Sequence, residues 1–427
     1  MTDPAVTDSA INDPKLHDPK LHDHTLHDPA VTDPKVPDPD LTTIFVFGTL
    51  RDPELRRIVF GLDVRAETAT LPNFEVRTVP GGNWPVLCPA ADAEVEGLLF
   101  AVPEAALARA DYYEGLFDYV RQRMTVKRGT ATRTAEVWAP AHMPETAAEP
   151  WSLAAWQQHH AELAHVAASE VMALYGERPA VETARRAPMI WSRAQARLNG
   201  RQGGPTTLRR ATGPADIEIV KQRTPYAHFF AVEEYDLRHA TFSGGMSAEI
   251  KRAVFISSDA VTVLPYDPVR DRVLLIEQFR PGPLARGDRQ VWSLEAVAGR
   301  IDPGETPEAA ARREAREEAR LEIGELIALA SYYPSPGAKS EYLYCYLAMA
   351  DLPDGAAGLG GLADEHEDIR AHVIPFARLL ELYASGELDN GPLLLSVLEL
   401  KERRDGLRAS LHADPEDDPT ARLGTSG

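Results

Sequence analysis

The sequence predicts a mixed α+β protein with two folded domains behind a disordered arm, and three observations carry that expectation. Apolar strand-like segments alternate with helical pieces twice along the chain, on either side of a connector that reads NGRQGGPTT. The first forty residues lack the apolar density that either domain needs. At 427 residues, 44% hydrophobic and 26% charged, the chain is long enough to bury two cores and has an ordinary globular composition. The implied organisation is an arm over 1–40, a first domain over 41–195, a linker over 196–215, a second domain over 216–405 and a flexible tail over 406–427.

The arm repeats a five-residue theme, DPKLH, DPKLH, DHTLH, DPAVT, DPKVP, with Pro recurring where helix or sheet would need an amide. His17, His22, His24 and His27 could hold a transition metal, but with no fold to set their geometry an unstructured spacer is the favoured reading. Order begins at Thr43, where IFVFGTL is an apolar strand entering a Gly turn. Strands are expected over 74–79, 94–100, 124–127 and 134–138, with a helical piece, PEAALARADYYEG, between 94–100 and 124–127. The alternation suggests a compact α+β or small barrel-like domain. Over 151–176, Leu153, Trp156, Leu163, Val166, Val171 and Leu174 recur at helical spacing and predict one amphipathic helix packed on the core. A second helical piece ends near Leu198.

The second domain opens near Asp216 with strand-like IEIVKQRTPYAHFFAVEEYDLRHATF, then an SGGM turn and two apolar strands around Asp267-Pro268 that end at Arg280. VWSLEAVAG leads into the densest charge pattern of the chain, GRIDPGETPEAAARREAREEARL at 299–321. Thr306 is a good N-cap, Pro307 suits the first helical position, and the alanines after it favour helix. Glu314, Glu317 and Glu318 then fall at i, i+3 and i+4, so three carboxylates crowd one face. Like charges at that spacing repel, and Mg²⁺ or Mn²⁺ would reverse the sign by taking oxygen ligands. The plainer alternative is a solvated face answered by Arg312, Arg313 and Arg316. Strands around a Pro/Gly loop follow, then a polar loop (Ala363, Asp364, Glu365, His366, Glu367, Asp368) and a closing helix, NGPLLLSVLELKERRD.

A net charge of -20 argues against a general nucleic-acid or anionic-membrane surface. Cys88 and Cys345 stand far apart in different domains, which argues against a structural disulfide and fits a reducing cytoplasm. No run is long enough to span a bilayer, so cytoplasmic is the expected location.

The spacing of Gly299, Glu305, Arg313-Glu314 and Glu317-Glu318 resembles the signature of the Nudix hydrolases, and Arg320 departs from it where the pattern has Gly. LPYDPVRDRVLLIEQFR, LEAVAGRIDPGE, ASYYPSPGAKSE and LADEHEDIRAHV extend the resemblance to the bacterial ADP-ribose pyrophosphatases, including the tellurite-resistance-associated group. The resemblance implies an α/β/α sandwich and Mg²⁺-dependent hydrolysis of ADP-ribose to AMP and ribose 5-phosphate, Mn²⁺ being the other candidate metal. It implies a homodimer in which N-terminal strands of this half are exchanged. Glu314, Glu317, Glu318 and the Ala298 carbonyl would be metal ligands, and Glu365 the base or water-orienting group. Arg280, Phe229 and Glu341 would lie at the substrate, Phe229 stacking on adenine. Another nucleoside diphosphate sugar is the competing substrate.

In the first domain, Phe47-Gly48-Thr49-Leu50 and Asp111-Tyr112-Tyr113-Glu114-Gly115 resemble two hallmarks of the γ-glutamylcyclotransferase-like (AIG2-like) fold. That implies a small β-barrel with helices. Gly48, Thr49 and Leu50 would hold a substrate carboxylate, and Glu114 would move the proton as an amine closes 5-oxoproline. A non-catalytic ligand-binding or interaction module is the other reading of this domain.

Overall fold

The computed structural model describes residues 41–79, 84–144, 149–362 and 367–410. The arm with its four histidines, Glu365 and the end of the expected tail lie outside the described residues. Described residues from Thr42 onward cluster as one compact unit.

The first half runs β1 (Leu41–Val46), α1 (Pro53–Phe60), β2 (Glu67–Thr78), β3 (Pro85–Pro103), α2 (Glu104–Glu114), β4 (Tyr119–Arg128) and β5 (Ala131–Pro140), then α3 (Leu153–His159), α4 (Ala161–Ala173), α5 (Ala180–Ala184) and α6 (Ala187–Arg201). Its strands follow the order β1-β3-β2-β4-β5, and β5 meets β1 again through one parallel pair, Ile44 with Glu136. The expected small barrel thus takes the form of a curled five-stranded sheet whose seam rests on a single register position. Phe45, Leu71, Val95, Val126 and Val137 fill its interior, while Ile44 and Val46 alternate outward against the helices.

Two details differ from the sequence expectation. The single helix over 151–176 is two, α3 and α4, because His160 leaves helical geometry at φ -132° and ψ -17°. The stripe that α4 buries consists chiefly of Ala161, Ala164, Ala167 and Ala168, with Val171 and Met172, whereas Leu163 and Val166 are only partly covered. Small residues let α4 lie close against α1 and α6, an approach that hydrophobic periodicity does not reveal. In addition, α6 continues to Arg201, into the stretch expected as linker.

The second half runs β6 (Ile217–Ala227), β7 (Ala231–His239), β8 (Ile250–Ile256), β9 (Ala260–Asp267), β10 (Arg272–Phe279), α7 (Pro281–Arg286), β11 (Trp292–Glu295), β12 (Val297–Arg300) and α8 (Pro307–Ala319). It closes with β13 (Leu326–Tyr332), β14 (Leu343–Met349), β15 (Leu359–Gly360), β16 (Ile369–Pro375), α9 (Phe376–Ser385) and α10 (Gly391–Ala409). β6, β7 and β8 form a separate antiparallel sheet. The main sheet has the order β13-β14-β9-β10-β16-β15, with β11 on β10 and β12 on β9. Alternation sorts its side chains: Val261, Val263, Leu274 and Ile276 face α8, and Leu264, Tyr266, Val273 and Leu275 face α9 and α10. A helix layer therefore covers each face of the sheet. α10 reaches Ala409, past the expected start of the tail. The helices of the first half share a core with the small sheet, since Ile190 and Ala194 belong to one cluster with Ala227, Ala231 and Ile256. Among the described residues, no helix is long and apolar enough to cross a membrane.

Candidate functional site

The carboxylates of 299–321 are brought together by β12 and α8. Antiparallel pairing sets Ala298 opposite Thr262 and Gly299 opposite Val261. Thr306 caps α8 by accepting from the Ala309 amide at 3.2 Å, with Pro307 in the first turn. The alanines of α8 lie on the sheet, which presses the neighbouring Glu314 and Glu318 against β12. Gly299 leaves room for that approach, because a Cβ there would stand 1.8 Å from Glu314 Oε1 and the carboxylate would have to shift.

Arg313 organises the cluster. It donates to Glu305 at 3.1 and 3.0 Å, to Glu314 at 2.7 Å, to Glu317 at 3.0 Å and to the Arg300 carbonyl at 2.8 Å. Burial works against its charge, but its bonds to Glu305 and Glu314 outweigh that and raise its pKa. The pairing with Glu305 fixes the loop against the helix. Glu318, only 2% exposed, accepts from the Ala298 amide at 2.9 Å. Burial, with Glu314 and Glu367 adding to it, raises the Glu318 carboxyl well above its ordinary range. Burial also pushes Glu314 up to about 7, against Arg313 and with Glu317 and Glu367.

Among the described residues, no three His, Cys, Asp or Glu side chains converge as the ligands of one ion would. Arg313 bridges Glu314 and Glu317 instead. The donor set nonetheless suits a hard divalent cation. It is all oxygen, and its buried carboxylates raise one another's pKa, a strain that a positive ion removes.

Around this cluster, Arg280 donates to both oxygens of Glu295 at 2.8 Å, and Glu318 and Glu367 add to the field that favours its charge. Glu341 accepts from Lys339 at 2.8 Å and from the Ser257 hydroxyl at 3.4 Å. Phe229 is 58% exposed and has the Arg300 guanidinium over its ring at 3.8 Å, which brings the small sheet to the end of β12. Arg320 occupies the left-handed region at φ 53° as the cap of α8. That is the conformation a glycine takes most readily, so the departure from the signature is accommodated at a cost in backbone strain.

The first half holds a second candidate site. Gly48 begins a 3-10 turn, Gly48–Arg51, directly after β1, with φ 60° and Pro85 Cγ 2.2 Å from where a Cβ would sit. The close approach leaves no room for a side chain, and the left-handed backbone disfavours one. Thr49 and Leu50 line a cavity of about 730 Å³ together with Glu114. Glu114 ends α2 and is 8% exposed; burial, helped by Asp111, pushes its carboxyl up to about 8. A carboxyl raised toward the working pH can both take and return a proton. The structure thus brings Thr49, Leu50 and Glu114 to one cavity, with Gly48 in the turn that supplies two of them.

Several participants were not legible in the sequence. Arg300 reads as one more charge in a charged run, yet it joins Phe229 to β12. Trp156 and Trp191 reach the first-half cavity from α3 and α6, and Pro303 and Gly304 reach it from the loop between β12 and α8. No local pattern marks these residues, because each contact spans the fold.

Comparison with known proteins finds two families along the chain. Residues 257–395 match the family described as NUDIX domain, and residues 44–158 match Gamma-glutamyl cyclotransferase, AIG2-like. The chain is 38% identical over 204 residues to the ADP-ribose pyrophosphatase of Escherichia coli, covering 48% of this chain and 97% of that protein. It is 36% identical over 184 residues to the ADP-ribose pyrophosphatase of Haemophilus influenzae, covering 43% and 84%. A GDP-mannose pyrophosphatase of Salmonella arizonae is 32% identical over 189 residues, covering 43% and 96%. A solved structure described as an ADP compounds hydrolase aligns over 46% of this chain and 100% of its own, at 21% identity and a TM-score of 0.37, too slight a likeness to carry an argument. A β-sheet enclosed by helices, a carboxylate cluster on α8 and near-complete coverage of these relatives lead to one conclusion: the chain belongs to the Nudix hydrolases and carries an AIG2-like cyclotransferase domain ahead of its Nudix domain.

Proposed function

We propose that the Nudix half hydrolyses the diphosphate of ADP-ribose to AMP and ribose 5-phosphate, using Mg²⁺ with Mn²⁺ as a substitute. The buried carboxylate cluster of α8 against Ala298 and Gly299 carries this reading, and the names of the pyrophosphatase relatives support the substrate. Glu314, Glu317, Glu318 and the Ala298 carbonyl would hold the ion, which when bound neutralises diphosphate charge and polarises phosphorus. Glu365 takes a proton from the attacking water as its oxygen bonds to phosphorus and the bridging P–O bond breaks. Arg280, steadied by Glu295, meets the diphosphate, Glu341 borders substrate and metal, and Phe229 stacks on adenine. The Nudix half works as a cytoplasmic homodimer with exchanged N-terminal strands, in the manner of the tellurite-resistance-associated group. The two domains, expected over 41–195 and 216–405, are drawn on to Arg201 and Ala409, where α6 and α10 end.

The direct test is turnover of ADP-ribose by purified full-length protein with Mg²⁺, which Glu317→Gln should abolish; full activity in that variant would sink the assignment. The GDP-mannose relatives favour one alternative, a nucleotide sugar as the preferred substrate. Assay of ADP-ribose and nucleotide sugars at equal concentration separates the two. For the first half, the buried Glu114 in a cavity beside the Gly48 turn favours γ-glutamyl ligands, converted to 5-oxoproline or simply bound. Release of 5-oxoproline, lost in Glu114→Gln, distinguishes catalysis from binding.

A further inference from the structure

We propose that the first-half cavity is a composite site built by both halves of the chain: it takes a γ-glutamyl compound bearing a flat apolar group, and its occupancy alters hydrolysis at the Nudix site. This rests on the reading of the first half as a γ-glutamyl-binding domain and adds what that reading lacks, the far end of the ligand and its effect.

The cavity is larger than a γ-glutamyl group needs. At about 730 Å³ it falls among sites that hold drug-sized ligands. Four of the chain's six tryptophans line it: Trp84, Trp138, Trp156 and Trp191. Aromatic walls select flat apolar groups, which gain from stacked or edge-on contact beyond their buried area. Glu114, whose buried carboxyl is pushed up to about 8, disfavours a fixed charge on this lining.

The same cavity is walled by Pro303 and Gly304. These precede Glu305, which folds back to accept from the Asp302 amide at 3.2 Å and also receives Arg313. Arg313 is the group that holds Glu314 and Glu317. Only two side chains, Glu305 and Arg313, therefore separate the cavity wall from the carboxylates of α8.

A second connection runs through α6. Trp191, Gln195 and Leu198, spaced i, i+4, i+7, line the cavity. Met189, Arg193 and Arg197, on another face, meet the second half: Met189 accepts from Arg300, Arg193 donates to the Phe229 carbonyl at 3.2 Å, and Arg197 pairs with Glu233. Asn199, further along α6, donates to Asp259 at 2.9 Å. A ligand that moves or stiffens α6 thus acts on Arg300, which carries the carbonyl that Arg313 uses and the guanidinium over Phe229. Coupling requires only that the ligand favour one arrangement of this shared wall.

The test uses the full chain with γ-glutamylphenylalanine as probe and γ-glutamylglycine as its counterpart without the flat group. Binding is read by tryptophan emission, and ADP-ribose hydrolysis with Mg²⁺ is measured in the same solutions. Expected are saturable emission changes, about tenfold tighter for the phenylalanine compound. With them should come a change in kcat or KM of about fivefold that saturates at the same concentration. Trp191→Ala should lose the preference and the coupling, and Trp191→Phe should restore both, with circular dichroism confirming that each variant is folded. Saturable binding with unchanged hydrolysis would overturn the coupling while leaving the γ-glutamyl reading intact. Equal affinity for the two dipeptides would overturn the flat-group assignment. No emission response to either would overturn the γ-glutamyl reading and the proposal with it.

Discussion

Gly299→Ala is the smallest perturbation that reaches the centre of the Nudix site. The added Cβ would lie 1.8 Å from Glu314 Oε1, 1.9 Å from its Cδ and 2.5 Å from Oε2. Ordinary contact begins near 3.4 Å, so the carboxylate must retreat by roughly 1.5 Å, and it cannot do so freely. Arg313 holds Glu314 at 2.7 Å, and the buried alanines on either side of it fix α8 to the sheet. A displacement of about 1 Å in a reacting array costs on the order of 100-fold, or about 2.7 kcal/mol of transition-state stabilisation. The expected result is therefore a fall of about 100-fold in kcat/KM for ADP-ribose at saturating Mg²⁺. Melting should stay close to the parent's, because the moved group is a carboxylate and no core side chain is removed. Activity within about threefold of the parent would refute the argument, since it would mean that Glu314 need not be held where Gly299 allows it.

Other outcomes follow from the same structure. Arg320→Gly relieves a left-handed backbone at an exposed helix cap and should stabilise the protein by about 1 kcal/mol, with activity unchanged; a lower melting temperature would contradict the assigned conformation. Glu114→Gln should flatten the pH dependence of stability. The buried carboxyl has its pKa raised from 4.5 to about 8, so its contribution is fully present below 4.5 and is lost as pH rises to about 8. Melting of parent and variant across that window checks the sign, and parallel curves would refute it. Phe229→Ala should raise KM for ADP-ribose more than it lowers kcat, as loss of a binding contact does, and steady-state kinetics decide between the two. Chelation by EDTA should stop hydrolysis and added Mg²⁺ restore it, while tryptophan emission on binding γ-glutamylphenylalanine should persist without the metal.

Much of the candidate site was readable from short-range chemistry. Thr306, Pro307 and the alanines after them specify a capped helix, and 3.6-residue periodicity alone places Glu314, Glu317 and Glu318 on one flank. Arg313 and Glu305 are eight residues apart and meet across a single helix–loop junction, so their pairing too is a short-range contact. Burial was not readable. That Glu318 is nearly enclosed and bonded to the Ala298 amide depends on the pairing of β12 with β9, whose partner lies far back in the sequence. The first half shows the same divide. The Gly48 turn and the Glu114–Gly115 helix end were legible, but the interruption at His160 and the alanine stripe of α4 were not, because packing distance selects them and hydrophobic periodicity does not.

By itself the sequence determined much of the local conformation, the order of elements and the residue types at both candidate sites, since caps, turns and charge spacing act within a few residues. Only the tertiary structure decided how those sites are joined. The loop between β12 and α8 and the helix α6 each touch both, through contacts among residues more than a hundred positions apart in the chain. Such contacts depend on how two cores pack together, and no segment of the sequence contains that information alone.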